Sequence, residues 1–207
     1  MYSYIFDIGG VLIKYDHEAA IKHLAGSGEY NIEAIRTLFM EDLLYLSQTG
    51  RILMADFYET HVKRAMPGIT LEGLISKYVE YFEVNPEGFE LMLEMKNKGR
   101  KVYILSNLAD FHKVAIERKI PGFFDHSLFN FLSYEMGYYK PEAEIYQEVI
   151  RKTSERPENL VFFDDLPQNI EGAKKAGMKG MVFSNDRIEE IRDFIGRLES
   201  EESDRPR

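Results

Sequence analysis

Four short apolar runs constrain the fold of this chain more than any other feature. Each has three or four residues, and none alternates as a strand with one face in water would. Continuous apolar runs of this kind are typical of strands buried on both faces of a parallel sheet. The runs are YIF (4–6), VYIL (102–105), LVFF (160–163) and MVF (181–183). A weaker run, SLFNF (127–131), is a fifth candidate strand.

Helical patterns alternate with the last three of these runs. They are PEGFELMLEMKNKG (86–99), PEAEIYQEVIRKT (141–153) and PQNIEGAKKAG (167–177). Pro141 is expected at the first position of the second helix, where its fixed φ is favourable. Strands and helices in alternation build βαβ units. We therefore predict an α/β core, a doubly wound, Rossmann-like parallel sheet.

The stretch between the first apolar run and residue 86 has a different, wholly helical pattern. Four segments in it read as helices, namely 17–26, 31–50, 52–66 and 70–82. We therefore expect an all-helical cap (16–85) inserted into a core made of residues 1–15 and 86–198. The last nine residues, 199–207, are mostly charged and are expected to form a frayed tail.

The composition excludes several classes of function. The 207 residues carry a formal net charge of −9, which argues against nucleic acid as a partner because a phosphate backbone is bound by lysine and arginine. A small anionic substrate in a local cationic pocket is still allowed. The chain has no cysteine, which excludes disulfides, thiolate nucleophiles and cysteine-ligated zinc. A hydrophobic content of 44% is sufficient for a packed core.

The sequence contains neither a membrane span nor a recognisable targeting segment. No stretch approaches the roughly 18 uncharged apolar residues that a membrane helix needs. The N-terminus lacks a basic region followed by a long apolar stretch, so no signal peptide is expected. The expected location is the cytoplasm.

Polar residues that suit catalysis follow the predicted strands. They are Asp7 after the first run, Ser106 and Asn107 after the second, Asp164 and Asp165 after the third, and Lys140 before a core helix. In open α/β sheets, ligands bind beyond the carboxyl ends of the strands, so these side chains are expected to converge. Two adjacent acids there repel each other unless a cation is present. A hard divalent ion such as Mg²⁺ meets that need.

Four motifs in this order resemble those of the haloacid dehalogenase superfamily of phosphohydrolases. They are FDIGGVL, LSN, YYKPEAEIY and FFDD, and the helical cap also lies where that family has one, between the first and second motifs. The Gly-Gly pair and FFDD are most similar to the branch of bacterial α-D-glucose-1-phosphate phosphatases. The resemblance implies a Mg²⁺-dependent phosphatase that acts through an aspartyl-phosphate on a small metabolite, such as a hexose 1-phosphate.

The resemblance also implies a role for each motif residue near the metal. Asp7 is expected to be the nucleophile and a metal ligand. Gly9 is expected to lend its main-chain carbonyl to the metal. Asp165 corresponds to the direct metal carboxylate, and Asp164 is expected to act nearby, directly or through water.

Three further residues are expected to hold the substrate. By resemblance, Ser106 and the backbone amide of Asn107 bind the phosphoryl oxygens. Lys140 is expected to be catalytic as well as substrate-binding, because it neutralises both Asp7 and the transferring group. Phosphoryl transfer needs this positioning and neutralisation more than covalent chemistry.

Gly9 departs from the usual motif. The family normally has aspartate there, and that residue donates a proton to the leaving group and later accepts one from water. Asp16 and His17, at the start of the cap, are candidate substitutes for this acid. The competing interpretation of Asp16 is an N-cap of the first cap helix.

Other functions are compatible with parts of the pattern. A metal-independent 2-haloacid dehalogenase also has the aspartate nucleophile and lacks the second aspartate, but the pair Asp164 and Asp165 favours a metal. A phosphomutase requires the missing acid. A degenerate domain that binds a phosphorylated ligand or a protein partner without turnover is favoured only by Gly9. The sequence leaves open the substrate, the oligomeric state and whether cap residues such as Arg51 contact the substrate.

Overall fold

A five-stranded parallel sheet forms the centre of the computed structural model, which describes residues 1–203. In chain order the strands are β1 (Ser3–Phe6), β2 (Ile13–Lys14), β3 (Glu83–Val84), β4 (Val102–Ser106), β5 (Phe129–Leu132), β6 (Leu160–Asp164) and β7 (Lys179–Val182). The large sheet has the order β5-β4-β1-β6-β7, and all its pairs are parallel. The predicted fold class is therefore confirmed. The chain order reverses at β1, so the crevice beyond its end is where a ligand is expected.

Twelve α-helices surround this sheet within the described residues. Six precede β3, namely α1 (His17–Ala25), α2 (Ile32–Thr37), α3 (Glu41–Gln48), α4 (Met54–Phe57), α5 (Lys63–Ala65) and α6 (Leu71–Tyr81), and a π-helical turn (Tyr58–Val62) joins α4 to α5. Six follow it, namely α7 (Pro86–Asn97), α8 (Asp110–Lys119), α9 (Ser133–Met136), α10 (Ala143–Thr153), α11 (Pro167–Lys175) and α12 (Ile188–Ser203). No helix within residues 1–203 is long and apolar enough to cross a bilayer.

The two faces of the sheet are covered by different helices. One buried cluster joins Tyr4, Phe6 and Phe163 to apolar residues of α7, α8 and α12. The other joins Ile5 and Phe162 to apolar residues of α10 and α11. Since neighbouring residues of one strand enter opposite clusters, the central strands β1, β4 and β6 are buried on both faces, which explains their unalternating sequence. The edge strands β5 and β7 are only partly buried.

A small antiparallel ribbon marks where the chain leaves and re-enters the core. In this ribbon β2 pairs with β3, and Ile13 lies opposite Val84. The helices α1 to α6 lie between its strands, and α6 packs against the core helix α8. We therefore keep the division into a cap (16–85) and a core (1–15 and 86–198) as a proposal.

The segment 31–50 is not the single helix that its periodicity predicts. It is broken between α2 and α3, where Met40 has an extended backbone. The break lets Leu38 and Phe39, which are adjacent in the chain, both become buried. Ile32 and Leu46, which a single helix over 31–50 would place on one apolar face, are exposed.

The predicted position of Pro141 in a helix is also wrong. The helix α10 begins at Ala143, and residues 139–142 form a turn in which the Glu142 amide donates to the Tyr139 carbonyl at 2.7 Å. Helix α8 was not predicted, because charged residues interrupt its short apolar pattern.

The expected frayed tail is helical over most of its length. Helix α12 continues to Ser203, and residues 204–207 lie outside the described part of the chain. Ion pairs with Arg100 stabilise the end of this helix, because the guanidinium lies 3.3 Å from Glu199 and 2.6 Å from Glu202. The N-terminal ammonium of Met1 also lies 2.8 Å from Glu202.

Candidate active site

Three carboxylates meet at the carboxyl edge of the sheet. Asp7 follows β1, its amide donates to the Phe163 carbonyl, and its own Oδ1 accepts from the Ile8 amide at 2.7 Å. Asp164 ends β6, and Asp165 comes directly after it. One oxygen from each of the three lies within 4.8 Å of the others. The predicted convergence of these acids is therefore present in the fold.

Lys140 provides the positive charge at the centre of this group. Its Nζ lies 2.9 Å from Asp7 Oδ1 and 2.6 Å from Asp164 Oδ2, and it donates to the Leu105 carbonyl at 3.2 Å. Lys140 is 2% exposed, so the ammonium is removed from water and depends on these partners. Three carboxylates and one ammonium leave two negative charges uncompensated.

The side chain of Asn107 holds the turn that carries Lys140. Its Oδ1 accepts from the Lys140 amide at 2.8 Å, and its Nδ2 donates to the Lys140 carbonyl at 2.9 Å. The sequence motif had predicted a role only for the backbone amide of Asn107. Ser106, the last residue of β4, is buried and lines the same cleft.

Asp164 and Asp165 differ in how many hydrogen bonds their carboxylate oxygens already accept from the protein. Asp164 accepts from the Leu166 amide at 2.9 Å and from Asn169 Nδ2 at 2.9 and 3.0 Å, in addition to its contact with Lys140. It is fully buried, whereas Asp165 is partly exposed and lines the cleft. The oxygens of Asp165 are therefore the more available, whereas those of Asp164 are already hydrogen-bonded within the protein.

Burial and mutual repulsion make the ionised form of this cluster costly. Burial raises the pKa of Asp7 to about 7, while the ammonium of Lys140 opposes that rise. Burial, and then the charge of Asp164, raise the pKa of Asp165 to about 6. A dication among the three carboxylates would favour their charged forms and remove this penalty.

A cleft of about 470 Å³ opens above the carboxylates. Core residues Asp7, Ser106 and Lys140 line it, and the cap contributes Leu44 and Gln48 from α3. This volume is in the range that holds a small metabolite.

Residues 3–177 match the family model of the haloacid dehalogenase-like hydrolases. The chain belongs to the haloacid dehalogenase-like hydrolase family. The resemblance drawn from the four motifs is confirmed, while the specific branch stays a prediction.

Similar proteins match this hydrolase over nearly its whole length. A sesquiterpene phosphatase from Aspergillus oryzae is 24% identical over 201 residues, 93% of this chain and 95% of the relative. The D-ribitol-5-phosphate phosphatase of Bacteroides thetaiotaomicron is 23% identical over 184 residues, 84% and 88% of the two chains. The structure of a HAD-family enzyme from the same bacterium, in complex with magnesium and inorganic phosphate, superposes with a TM-score of 0.77 at 25% identity, covering 89% of this chain and 94% of that one.

The two glycines that follow Asp7 and Ile8 differ in whether the structure requires glycine there. Gly10 has a φ of 70°, and a Cβ there would lie 2.4 Å from Asp165 Oδ2, so only glycine fits. At Gly9 a Cβ would meet only Tyr15, at an ordinary 3.8 Å. The absence of the usual family aspartate at position 9 is therefore not imposed by the backbone or by crowding.

Asp16 and His17, the two candidate substitutes for the missing acid, both line the cleft. Asp16 is also the N-cap of α1, since its Oδ1 accepts from the Ala19 amide at 2.6 Å. The ring of His17 is exposed and lies edge-on to Phe39, with centroids 5.1 Å apart. Whether either residue transfers a proton stays a prediction.

Arg51 does not belong to the lining of the cleft. Its guanidinium lies over the ring of Tyr45, 4.9 Å from the centroid. Tyr45 in turn packs edge-on against Tyr139, with centroids 5.8 Å apart. Arg51 therefore supports the cap side of the cleft through an aromatic contact.

Sequence reasoning missed several residues of the site. Asn169 binds Asp164 from the first turn of α11, and its place five residues after that acid in FFDDLPQN is a usable signal. Tyr15, Tyr139 and His112 line the cleft. Tyr139 directly precedes Lys140 and Tyr15 directly precedes Asp16, so both were within reach of the predicted site, whereas His112 reaches the cleft through tertiary packing.

Proposed function

We propose that this hydrolase is a Mg²⁺-dependent phosphatase that cleaves a small phosphomonoester through an aspartyl-phosphate. The observation that carries the proposal is the set of three carboxylates within 4.8 Å of one another, two of them paired with the buried Lys140. The names of the two phosphatase relatives support the reaction class. For the substrate we propose a sugar phosphate such as a hexose 1-phosphate.

The donor atoms suit magnesium, which prefers oxygen ligands and takes only one or two carboxylates directly. Asp7, Asp165 and the Gly9 carbonyl would hold the ion, with Asp164 close by or acting through water. No described amide donates to the Gly9 carbonyl, which supports its availability. When bound, magnesium supplies positive charge that neutralises the carboxylates and the transferring phosphoryl group.

The protein residues then account for the two chemical steps. A carboxylate oxygen of Asp7 forms a bond to phosphorus while the bond from phosphorus to the leaving oxygen breaks. Water later attacks the same phosphorus, the bond from Asp7 to phosphorus breaks, and release of inorganic phosphate restores the Asp7 carboxylate. The leaving oxygen gains a proton and the attacking water loses one, and Asp16, His17 or solvent is proposed to supply and accept these protons in place of the acid absent at Gly9. Ser106, the Asn107 amide and Lys140 are proposed to hold the phosphoryl oxygens, which is the main demand of this reaction.

The absence of an acid at Gly9 bears on the choice of substrate. The anomeric oxygen of a sugar 1-phosphate is a better leaving group than an ordinary alkoxide, because the ring oxygen withdraws electron density. It needs less protonation in a loose, largely dissociative transition state. General-acid help is typically worth about 10²- to 10⁴-fold, so its loss penalises poor leaving groups most.

We expect a higher kcat/KM for glucose 1-phosphate than for glucose 6-phosphate. In a Gly9→Asp variant the preference should shrink, because position 9 has room for a Cβ and an acid there would help the poorer leaving group most. Steady-state kinetics with both sugars measure this ratio.

Asp16→Asn and His17→Gln serve as matched variants, since asparagine preserves the N-cap of α1. If one of these residues is the substitute acid, the preference for the 1-phosphate grows sharply in that variant. Faster turnover of the 6-phosphate by the wild type would contradict the leaving-group argument.

We expect hydrolysis of p-nitrophenyl phosphate to require Mg²⁺, and Asp165→Asn to weaken Mg²⁺ activation more than Asp164→Asn. The reason is that the oxygens of Asp164 are already saturated by Lys140, Asn169 and the Leu166 amide. We expect the magnesium concentration for half-maximal activity to rise at least about tenfold in the Asp165 variant. The Asp164 variant should mainly lower the melting temperature.

Magnesium titration of activity, with thermal melts of each variant, separates the alternatives. A dehalogenase would not depend on magnesium, and a binding domain would show no turnover. A larger rise in the Asp164 variant would reverse the assignment of the two acids.

A further inference from the structure

The cleft continues from the carboxylates into a largely apolar part between α8 and the end of α6. Phe82, Leu108 and Ile116 line this part, and each is almost completely buried. His112, on the first turn of α8, also lines it and is the polar side chain among them.

The ring of His112 is held in one orientation by its neighbours. Its centroid lies 4.1 Å from that of Phe111 and 4.9 Å from that of Tyr78, the latter in an edge-on arrangement. Its Nδ1 accepts from the Ala109 amide at 3.4 Å. Because Nδ1 is the acceptor, the proton of the neutral ring lies on Nε2.

Nε2 is left as a hydrogen-bond donor without an acceptor. No residue within the described part of the chain accepts from it, and His112 is half-buried in the wall of the cleft, so the donor is available to a ligand there. Burial lowers the pKa of His112 to about 3, so the ring is neutral at physiological pH. It can therefore bind an oxygen atom, but it cannot serve as the acid that is absent at Gly9.

The charges along the cleft restrict the kind of group that His112 can meet. Lys140 is the single lysine or arginine among the described residues that line the cleft, and the carboxylates already engage it. A second phosphate or carboxylate on the substrate would find no cation there. The portion beyond the transferred phosphoryl group is therefore expected to carry no second anionic group.

We propose that His112 is a specificity-determining residue, whose Nε2 donates a hydrogen bond to a hydroxyl or ring oxygen of the neutral leaving alcohol. This inference rests on the proposed phosphatase function. It assigns the apolar part of the cleft to the alcohol and the carboxylate end to the phosphoryl group. A cleft-lining donor that has no acceptor in the protein discriminates against substrates that cannot accept its hydrogen bond.

The test compares His112→Phe, His112→Gln and His112→Asn with glucose 1-phosphate and with p-nitrophenyl phosphate, which has no hydroxyl to accept the bond. Phenylalanine keeps the aromatic packing and removes both the Nε2 donor and the Nδ1 acceptor of the Ala109 amide. Glutamine places an amide near the position of Nε2, whereas asparagine places it near Nδ1.

We expect His112→Phe to raise KM for glucose 1-phosphate about tenfold while kcat changes little, since a single hydrogen bond is lost. The kcat/KM for p-nitrophenyl phosphate should fall much less than that for glucose 1-phosphate, and a thermal melt shows whether the variant is folded. His112→Gln should recover most of the affinity, and His112→Asn should not.

The outcomes separate this inference from the proposed function. If the wild type hydrolyses neither compound with Mg²⁺, the phosphatase proposal fails. The role of His112 is overturned if the wild type is active but His112→Phe leaves KM for glucose 1-phosphate unchanged. It is also overturned if His112→Phe lowers kcat/KM equally for both substrates. Equal behaviour of the glutamine and asparagine variants would also overturn it.

Discussion

Asp7→Asn is expected to reduce kcat by at least about 10³-fold while the fold persists. The amide nitrogen cannot form the acyl phosphate that the proposed reaction requires. The remaining Oδ1 still accepts from the Ile8 amide and lies beside Lys140, so the local hydrogen bonds are kept. Loss of the nucleophile should therefore appear in kcat and only weakly in the melting temperature.

Steady-state kinetics with p-nitrophenyl phosphate and Mg²⁺ measure this loss. Mass spectrometry of the purified variant controls for deamidation back to aspartate. An acid-quenched reaction should trap covalently bound phosphate on the wild type and none on the variant. Retention of more than about a tenth of wild-type kcat would show that Asp7 is not the nucleophile.

Lys140→Met is expected to destabilise the protein by about 3–5 kcal/mol and to abolish most activity. Methionine has a similar length, but it leaves Asp7 and Asp164 buried without a cation. Removing one partner of a buried charge pair costs the full desolvation of the other. The same change removes the positive charge that is proposed to neutralise the phosphoryl group.

Urea unfolding measures the loss, and two further variants make it specific. Lys152→Met alters an exposed lysine that lies 3.7 Å from Glu148, so it should cost less than about 1 kcal/mol. In the double variant Lys140→Met with Asp164→Asn, one unpaired carboxylate is removed, and part of the stability should return. Equal stability of the Lys140 and Lys152 variants would refute the assigned role of the buried ammonium.

The strand prediction succeeded because burial on both faces leaves a local signature. Strands β1, β4 and β6 were found from unbroken apolar runs, and the polar residues at their ends followed from chain order alone. The position of Asp7, Ser106 and Asp165 at one edge is then a consequence of parallel pairing, which aligns the carboxyl ends of the strands.

Helix limits were less predictable, since they depend on contacts made elsewhere in the chain. The chain is non-helical at Met40 and in the turn before α10, although the local sequence favours helix at both places. Helix α12 reaches Ser203 because Arg100, about a hundred residues earlier in the chain, pairs with its last acids. Tertiary contacts of this kind commonly outweigh the intrinsic helix propensity of a segment.

By itself, the sequence determined the family, the parallel sheet, the helical segment between β2 and β3, and the identity of the charged residues at the strand ends. Only the tertiary structure decided how those residues are used. It showed that Asp164 is saturated by Asn169 and Lys140, and that Gly10, unlike Gly9, has no room for a side chain. The physical reason is that apolar periodicity and motif spacing depend on residues close together in the chain. Burial, the saturation of hydrogen bonds and the free donor on His112 depend on contacts between segments that are far apart in the chain.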